Sequence, residues 1–302
     1  MLENKSYTLK EISQWQKEVS NDEETKITLP SLQRGFVWKP EQIEALWDSV
    51  FRGYPIGAIM MSVDKEKNRF LLDGQQRSTS IALGHFNPFN ENSDFFFSLK
   101  TYKPSVWIDL NTEIVTDTQK FTFRCLTQSH PWGYQLKVNS SPLSMQDRRN
   151  ANAFFSRDGK VERYTDLKSN QINPWDSRFP VPLSFILEET TENFIEFKLN
   201  IVRKANTLNI KTKHSGNECV NFNEVKDEDL NKIFLGFLNY KKLKIPEIAV
   251  CAEILNESEE NVANESQDPT LFVRLNSAGT RISGEELIYS IYKASFPKIK
   301  DL

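Results

Sequence analysis

Residues 70–83 constrain the fold more than any other stretch of this sequence. They read FLLDGQQRSTSIAL, an apolar run that stops at Asp73-Gly74 and restarts as a helical pattern. This pattern predicts a strand, a tight turn and a helix. A glycine at such a turn lets backbone approach a ligand closely, and the first turn of the helix offers N–H groups and a positive dipole end. Because Arg77 adds a cationic fork there, the segment predicts an anion site, most simply for phosphate.

Other interpretations of this segment stay open at this point. Asp-Gly is also a common hairpin turn, and arginine is often only a surface residue. Asp73 fits a turn or capping role as well as it fits a carboxylate that holds Mg²⁺ or orients an attacking water.

Hydrophobic periodicity predicts a mixture of helices and strands along the chain. In chain order the predicted elements are an amphipathic start at 9–19, an extended piece at 27–30, a helix beginning at Pro40, strands at 56–63 and 69–72, a hairpin within 105–128, helices near 145–155, 192–205 and 229–240, a strand at 243–251, and two helices after Asp268. We expect residues 1–128 to form a core that 243–302 completes, and 129–242 to be a partly helical insertion.

Composition limits the classes of function. With 38% hydrophobic residues in 302, the chain can bury a substantial core, and its net charge of −3 argues against a wholly basic nucleic-acid surface. A local basic cluster remains, formed by Lys198, Arg203, Lys204, Lys211 and Lys213. No apolar run reaches the roughly 18 residues that span a bilayer, and the first residues do not resemble a secretion signal, so we expect a cytoplasmic protein that does not engage membranes.

Most catalytic motifs are absent from the sequence. The three histidines, three cysteines and surrounding residues show neither metal-binding spacing nor a nucleophile motif, and there is no P-loop. Three polar clusters are better candidates: Gln33-Arg34, residues 73–77, and residues 274–281, which include Asn276. Arginine forks bind phosphate oxygens, and amides bind a base or ribose, so these clusters suit a nucleoside triphosphate.

These clusters lie in three blocks that resemble a known family. Residues 29–38 (LPSLQRGFVW), residues 73–77 (DGQQR) and the closing block at 272–287 are similar, in this order, to the N-terminal DGQQR-motif domain of GmrSD-type, modification-dependent restriction systems. The resemblance implies an α+β fold, with a ParB/sulfiredoxin-like core of a small mixed sheet and packed helices, plus a largely helical insertion. It also implies a module that binds and hydrolyses a nucleoside triphosphate with Mg²⁺.

In larger relatives this module licenses a separate HNH-like nuclease, so the implied partners are a nucleotide, and DNA through a downstream or partner nuclease. The expected catalytic residues are Asp73 and Arg77, with Asp73 also the metal ligand. The expected nucleotide-binding residues are Gln33, Arg34, Gly74, Gln75, Gln76, Arg77, Ser78 and Asn276.

No histidine follows His214, so we do not expect HNH-type cleavage by this chain. Our leading hypothesis is a non-P-loop NTPase. The alternative is a nucleotide or modified-DNA sensor without turnover, motivated by the basic cluster, and a direct ParB-like nuclease ranks last. Homo-oligomerisation stays open.

Overall fold

The structure is a computed structural model of the chain. It describes residues 5–15, 27–28, 38–90, 104–112, 119–127, 129–135, 141–155, 167 and 171–251. Within these ranges the chain forms a mixed α+β fold with two small sheets and helices packed against them, as expected.

The described elements alternate irregularly between strand and helix. They are β1 (Ser6–Thr8), α1 (Leu9–Gln14), β2 (Ile27–Thr28), α2 (Pro40–Phe51), β3 (Ile59–Val63), β4 (Arg69–Asp73), α3 (Gln75–His85), β5 (Ser105–Asp109), β6 (Phe123–Leu126), α4 (Met145–Phe155), β7 (Pro180–Pro182), α5 (Leu183–Leu187), α6 (Phe194–Asn206), a 3₁₀ turn (Phe222–Glu224), α7 (Asp227–Lys242) and β8 (Lys244–Cys251).

The larger sheet has the strand order β1-β8-β3-β4-β2. Its pairs are mixed: β8 runs antiparallel to β1 and parallel to β3, while β4 runs antiparallel to β3 and parallel to β2. Strand β8, which follows the other described elements in the sequence, therefore lies between β1 and β3, two strands from the first part of the chain. As a result, the sheet that carries the turn after β4 depends on pairing across nearly the whole described chain.

The smaller sheet has the order β6-β5-β7, with both pairs antiparallel. The hairpin predicted within 105–128 is confirmed as the β5–β6 pair. Strand β7 was not predicted, because its sequence is Pro-Val-Pro and proline normally interrupts strand pairing. Its position at the edge of the sheet is the place where prolines are tolerated.

Helix α2 packs against the smaller sheet at β6 and against helix α7. Pro40 occupies the first turn of α2 as predicted, and its buried apolar stripe faces β6 and α7. That stripe consists of Ile43, Leu46, Trp47, Val50 and Phe51. The predicted helices near 145–155, 192–205 and 229–240 are confirmed as α4, α6 and α7, with small shifts at their ends. Among the described residues, no helix combines the length and apolar character needed to cross a membrane.

Candidate functional site

The turn between β4 and α3 has the geometry that the sequence predicted. Strand β4 ends at Asp73, Gly74 has a left-handed backbone with φ of +105°, and α3 begins at Gln75. A Cβ on residue 74 would come within 2.8 Å of the Ile59 side chain in β3. Gly74 is thus required both by its backbone angle and by this close approach. The hairpin interpretation is wrong, because a helix follows the turn and not a paired strand.

Asp73 and Arg77 form an ion pair across the first turn of α3. Arg77 Nη2 lies 3.4 Å from Asp73 Oδ2, and the Asp73 side chain is 67% exposed, against 19% for Arg77. A second contact fixes the position of the guanidinium: Arg77 Nη1 donates a hydrogen bond of 2.9 Å to the carbonyl oxygen of Ile56. A cation fixed in this way at a helix N-terminus is pre-organised to meet an anion arriving from solvent.

The other residues of the turn are engaged in different ways. The Oε1 atom of Gln76 accepts a hydrogen bond of 3.3 Å from the backbone N–H of Trp38. The hydroxyl of Ser78 donates to the carbonyl oxygen of Gln75, and Ser78 is buried. Ser78 therefore stabilises the first turn of α3 in this structure, while Gln75 and Gln76 remain partly exposed beside Arg77.

Six of the expected site residues are brought together at this one turn: Asp73, Gly74, Gln75, Gln76, Arg77 and Ser78. The remaining three, Gln33, Arg34 and Asn276, lie outside the described residues, as do the two helices predicted after Asp268.

The carboxylates of the described region do not form a ready-made metal cage. No group of three His, Cys, Asp or Glu side chains that could hold an ion occurs there. Mg²⁺ usually needs only one or two protein carboxylates, because substrate phosphates and water complete its shell. The exposed carboxylate of Asp73, next to the helix N-terminus, is compatible with that mode of binding.

The site also includes Ile56 and Gly57, two residues that precede β3 and that were not predicted as site residues from the sequence. Ile56 contributes its carbonyl oxygen to Arg77, and Gly57 has a φ of +87°. The signal that could have found Gly57 is its place between a proline-containing turn and a buried strand, where a glycine often marks close backbone approach.

The basic cluster of the α6 region is largely neutralised by the protein's own carboxylates. Lys198 pairs with Asp227, Lys204 with Glu189, and Lys213 with Asp176 and Asp147. These pairs reduce the net positive potential that a nucleic-acid backbone would meet there. The observation that motivated duplex binding through this cluster is correspondingly weaker.

The turn is therefore suited to binding an anionic ligand. It presents a helix N-terminus, an anchored guanidinium and an exposed carboxylate at a single surface position, which are the groups needed to hold a polyanion and a divalent cation together.

Most of the chain matches a known protein family. The family model described as GmrSD restriction endonuclease, N-terminal domain, matches residues 16–293. This match confirms the resemblance seen in the three sequence blocks. No curated protein gives a significant match.

Proposed function

Because the chain belongs to the family of GmrSD restriction endonuclease N-terminal domains, we propose that it is the nucleotide-binding and NTP-hydrolysing module of a restriction or phage-defence system. The observation that carries this proposal is the pairing of Asp73 with Arg77 on the left-handed Gly74 turn at the start of α3.

The phosphates would lie against the first turn of α3. Arg77 would neutralise their charge through its fork, and the positive end of the helix would add to the attraction. The anchoring of Arg77 by the Ile56 carbonyl supports this role, since a guanidinium held in place loses less conformational entropy when it binds.

Asp73 would hold Mg²⁺ or orient the attacking water. Phosphoryl transfer is catalysed mainly by positioning and charge stabilisation, so one carboxylate and one arginine in the right place can contribute much of the effect. The exposure of the Asp73 side chain supports this role, because its carboxylate is open to an incoming ligand.

Gln33, Arg34 and Asn276 would complete the nucleotide site. Gln33 and Arg34 precede Trp38 by five and four residues in the sequence, and the Trp38 N–H contacts Gln76. This short chain separation supports an added arginine fork and amide near the same phosphates.

DNA would be engaged through a downstream or partner nuclease. In this division of labour the chain would bind and hydrolyse the nucleotide, and the nuclease would cleave the DNA. A cytoplasmic location and the oligomeric state stay predictions.

Calorimetric titration of the chain with each of the four NTPs and Mg²⁺, with phosphate release followed in parallel, tests the proposal. Arg77→Ala is expected to weaken binding about 10- to 100-fold, because a charge-assisted hydrogen bond contributes roughly 1.5–3 kcal/mol. Arg203→Ala is the matched control, since Arg203 is an exposed arginine on α6 that is not part of the turn.

The outcomes separate the two functions. Binding with Arg77-dependent phosphate release establishes an NTPase, and binding without release favours the sensor. Nucleotide affinity that is unchanged in a folded Arg77→Ala variant would mean that the turn binds something else.

A further inference from the structure

An exposed tyrosine lies two residues before the carbonyl that holds Arg77. Tyr54 follows the C-terminal end of α2 and is 48% exposed. Among the described residues it is the one phenylalanine, tyrosine or tryptophan that is exposed, while the others are buried or half-buried. Neither the strand-turn-helix pattern nor the ion pair of the turn uses this ring. An exposed ring of this kind is available to stack on a flat ligand.

The Tyr54 ring is held in place by its neighbours on α2. The Cζ atom of Arg52 lies 4.5 Å from the ring centroid, and Arg52 Nη2 donates a hydrogen bond of 2.7 Å to Tyr54 Oη. Arg52 in turn pairs with Asp48 on α2 at 3.3 Å. The Tyr54 backbone is fixed as well, since its N–H donates to the carbonyl oxygen of Ser49 at 2.9 Å. A side chain that is ordered before a ligand arrives loses less conformational entropy on binding.

One face of the Tyr54 ring is open to solvent. The guanidinium of Arg52 covers part of one face. Because a ring covered on both faces would be largely buried, the exposed half of Tyr54 must include the opposite face. A nucleobase presents an aromatic face of its own, and stacking of a base on a protein ring does not depend on which base it is. The open face of Tyr54 therefore has the size and chemistry to receive a base.

The chain connects this ring directly to the anion site. Ile56, whose carbonyl oxygen accepts from Arg77 Nη1 at 2.9 Å, is two residues after Tyr54. Two residues of extended chain span at most about 7 Å, so the Cα atoms of Tyr54 and Ile56 lie within that distance. Pro55 and Gly57 are exposed and Ile56 is half-buried, so the surface along this segment is open to solvent. One short segment thus carries an open aromatic ring at one end and contacts the guanidinium at the other.

We propose that Tyr54 stacks on the base of the nucleoside triphosphate whose phosphates bind at the Asp73–Arg77 turn. This inference rests on the proposed nucleotide function and adds to it the group that distinguishes a nucleotide from a bare polyphosphate. Arg77 binds phosphate oxygens, and Tyr54 binds the base. Since stacking uses the π-face that every base has, Tyr54 contributes to the affinity for all four NTPs.

The experiment compares each NTP with inorganic tripolyphosphate, both with Mg²⁺, by calorimetric titration. Tripolyphosphate carries the three phosphates but neither base nor ribose. Tyr54→Ala should weaken NTP binding roughly 5- to 150-fold, the range for loss of one base-stacking contact, and leave tripolyphosphate binding unchanged. Tyr54→Phe should keep most of the NTP affinity because it retains the flat ring.

Two further variants separate stacking from general effects. Tyr54→Leu keeps an apolar side chain of substantial size without a planar face, so it should behave like Tyr54→Ala. Met145→Ala is the matched control, since Met145 is a large apolar side chain, 64% exposed, on α4 and outside the segment from Tyr54 to Arg77. It should leave the binding of both probes unchanged. Unaltered tripolyphosphate binding also shows that each Tyr54 variant is folded at the turn.

The outcomes distinguish failure of this inference from failure of the proposed function. Equal weakening of NTP and tripolyphosphate binding by Tyr54→Ala would overturn stacking on the base, because the ring would then act on the phosphate site. Unchanged NTP affinity in Tyr54→Ala, with binding that still depends on Arg77, would overturn the inference and keep the proposed function. If no NTP binds the wild-type protein, both are overturned.

Discussion

Gly57 lies directly against the guanidinium of Arg77. A Cβ built on residue 57 would come within 2.7 Å of Arg77 Nη1, the same atom that donates to the carbonyl oxygen of Ile56. The segment before β3 therefore determines where the charge at the start of α3 is held. The position of the cation depends on the absence of a side chain twenty residues earlier in the sequence.

Gly57→Ala should reduce nucleotide affinity while the protein stays folded. The new methyl group must displace the guanidinium, and loss of a charge-assisted contact would weaken NTP binding about 10-fold or more. Calorimetric titration measures this. Gly216→Ala is the matched control, since Gly216 also has a positive φ, +62°, but nothing lies within 4 Å of the position that its Cβ would take. Equal affinities of the two variants would contradict a positioning role for Gly57.

Asp73→Asn should abolish most phosphate release and retain part of the binding. The amide keeps the size of the side chain but removes the charge that would hold Mg²⁺ or orient water, and loss of one such group typically lowers turnover about 100-fold or more. Steady-state phosphate release and calorimetry on the same preparation separate the two effects. Glu66→Gln, which removes an exposed carboxylate in the turn between β3 and β4, should leave both unchanged.

Glu44→Gln should flatten the dependence of stability on pH between about 4.5 and 7. Burial raises the pKa of Glu44 from its ordinary 4.5 to about 7, against the opposing effects of Arg124 and the Cys125 N–H, and Glu41 raises it slightly further. The folded state therefore holds this proton more tightly than the unfolded state. The protonated Glu44 carboxyl therefore makes its full contribution to the stability of the fold below pH 4.5, and this contribution is lost as pH rises through 7.

Urea denaturation across that pH range measures the effect. The difference in unfolding free energy between wild type and Glu44→Gln should decrease as pH rises, and contributions shared by both proteins, such as that of buried Asp109, cancel in it. Glu218→Gln, which removes an exposed carboxylate, should follow the wild-type slope. A constant difference for Glu44→Gln would show that its carboxyl titrates normally.

Gly84→Ala should destabilise the fold, although alanine normally favours a helix over glycine. A Cβ at residue 84 would lie 2.0 Å from Trp47 Cζ2, and Trp47 is fully buried with its Nε1 donating to the Ser80 carbonyl. Overpacking of this kind costs about 1–3 kcal/mol, more than the gain in helix propensity. A lower urea midpoint is expected, with partial recovery when Trp47→Phe is added.

Glu247→Ala should be among the most destabilising single changes in the larger sheet. The Glu247 carboxylate on β8 accepts a hydrogen bond from Tyr7 Oη at 2.6 Å and from Arg69 Nε at 3.1 Å, and its side chain is fully buried. Removing one partner of a buried ion pair costs about 3–5 kcal/mol. Tyr7→Phe should lose about 1 kcal/mol in the wild type. A double-mutant cycle checks the network, because the same change should have little effect in the Glu247→Ala background.

Local patterns predicted much of the fold. The helical spacing after Pro40 and the alternation near residues 106 and 123 each match an observed element, because periodicity and capping act within one or two turns of chain. Strand β7 was missed since its prolines oppose the local preference, and only pairing at the edge of β5 overrides them. The cavity beside α4, lined by residues 89, 154–155, 172–173 and 208–210, was not predicted because these four segments are far apart in the sequence.

The same division applies to the candidate site. By itself the sequence predicted a strand, a turn and a helix over residues 70–83, with Asp73 and Arg77 at the turn, because the Asp-Gly break and the i, i+4 spacing are local; the structure then excluded the hairpin alternative. Only the tertiary structure decided that the Ile56 carbonyl holds Arg77 and that Gly57 leaves it room. Those contacts exist because β3 pairs with β4 on one side and with β8 on the other, and such pairing depends on residues far apart in the chain.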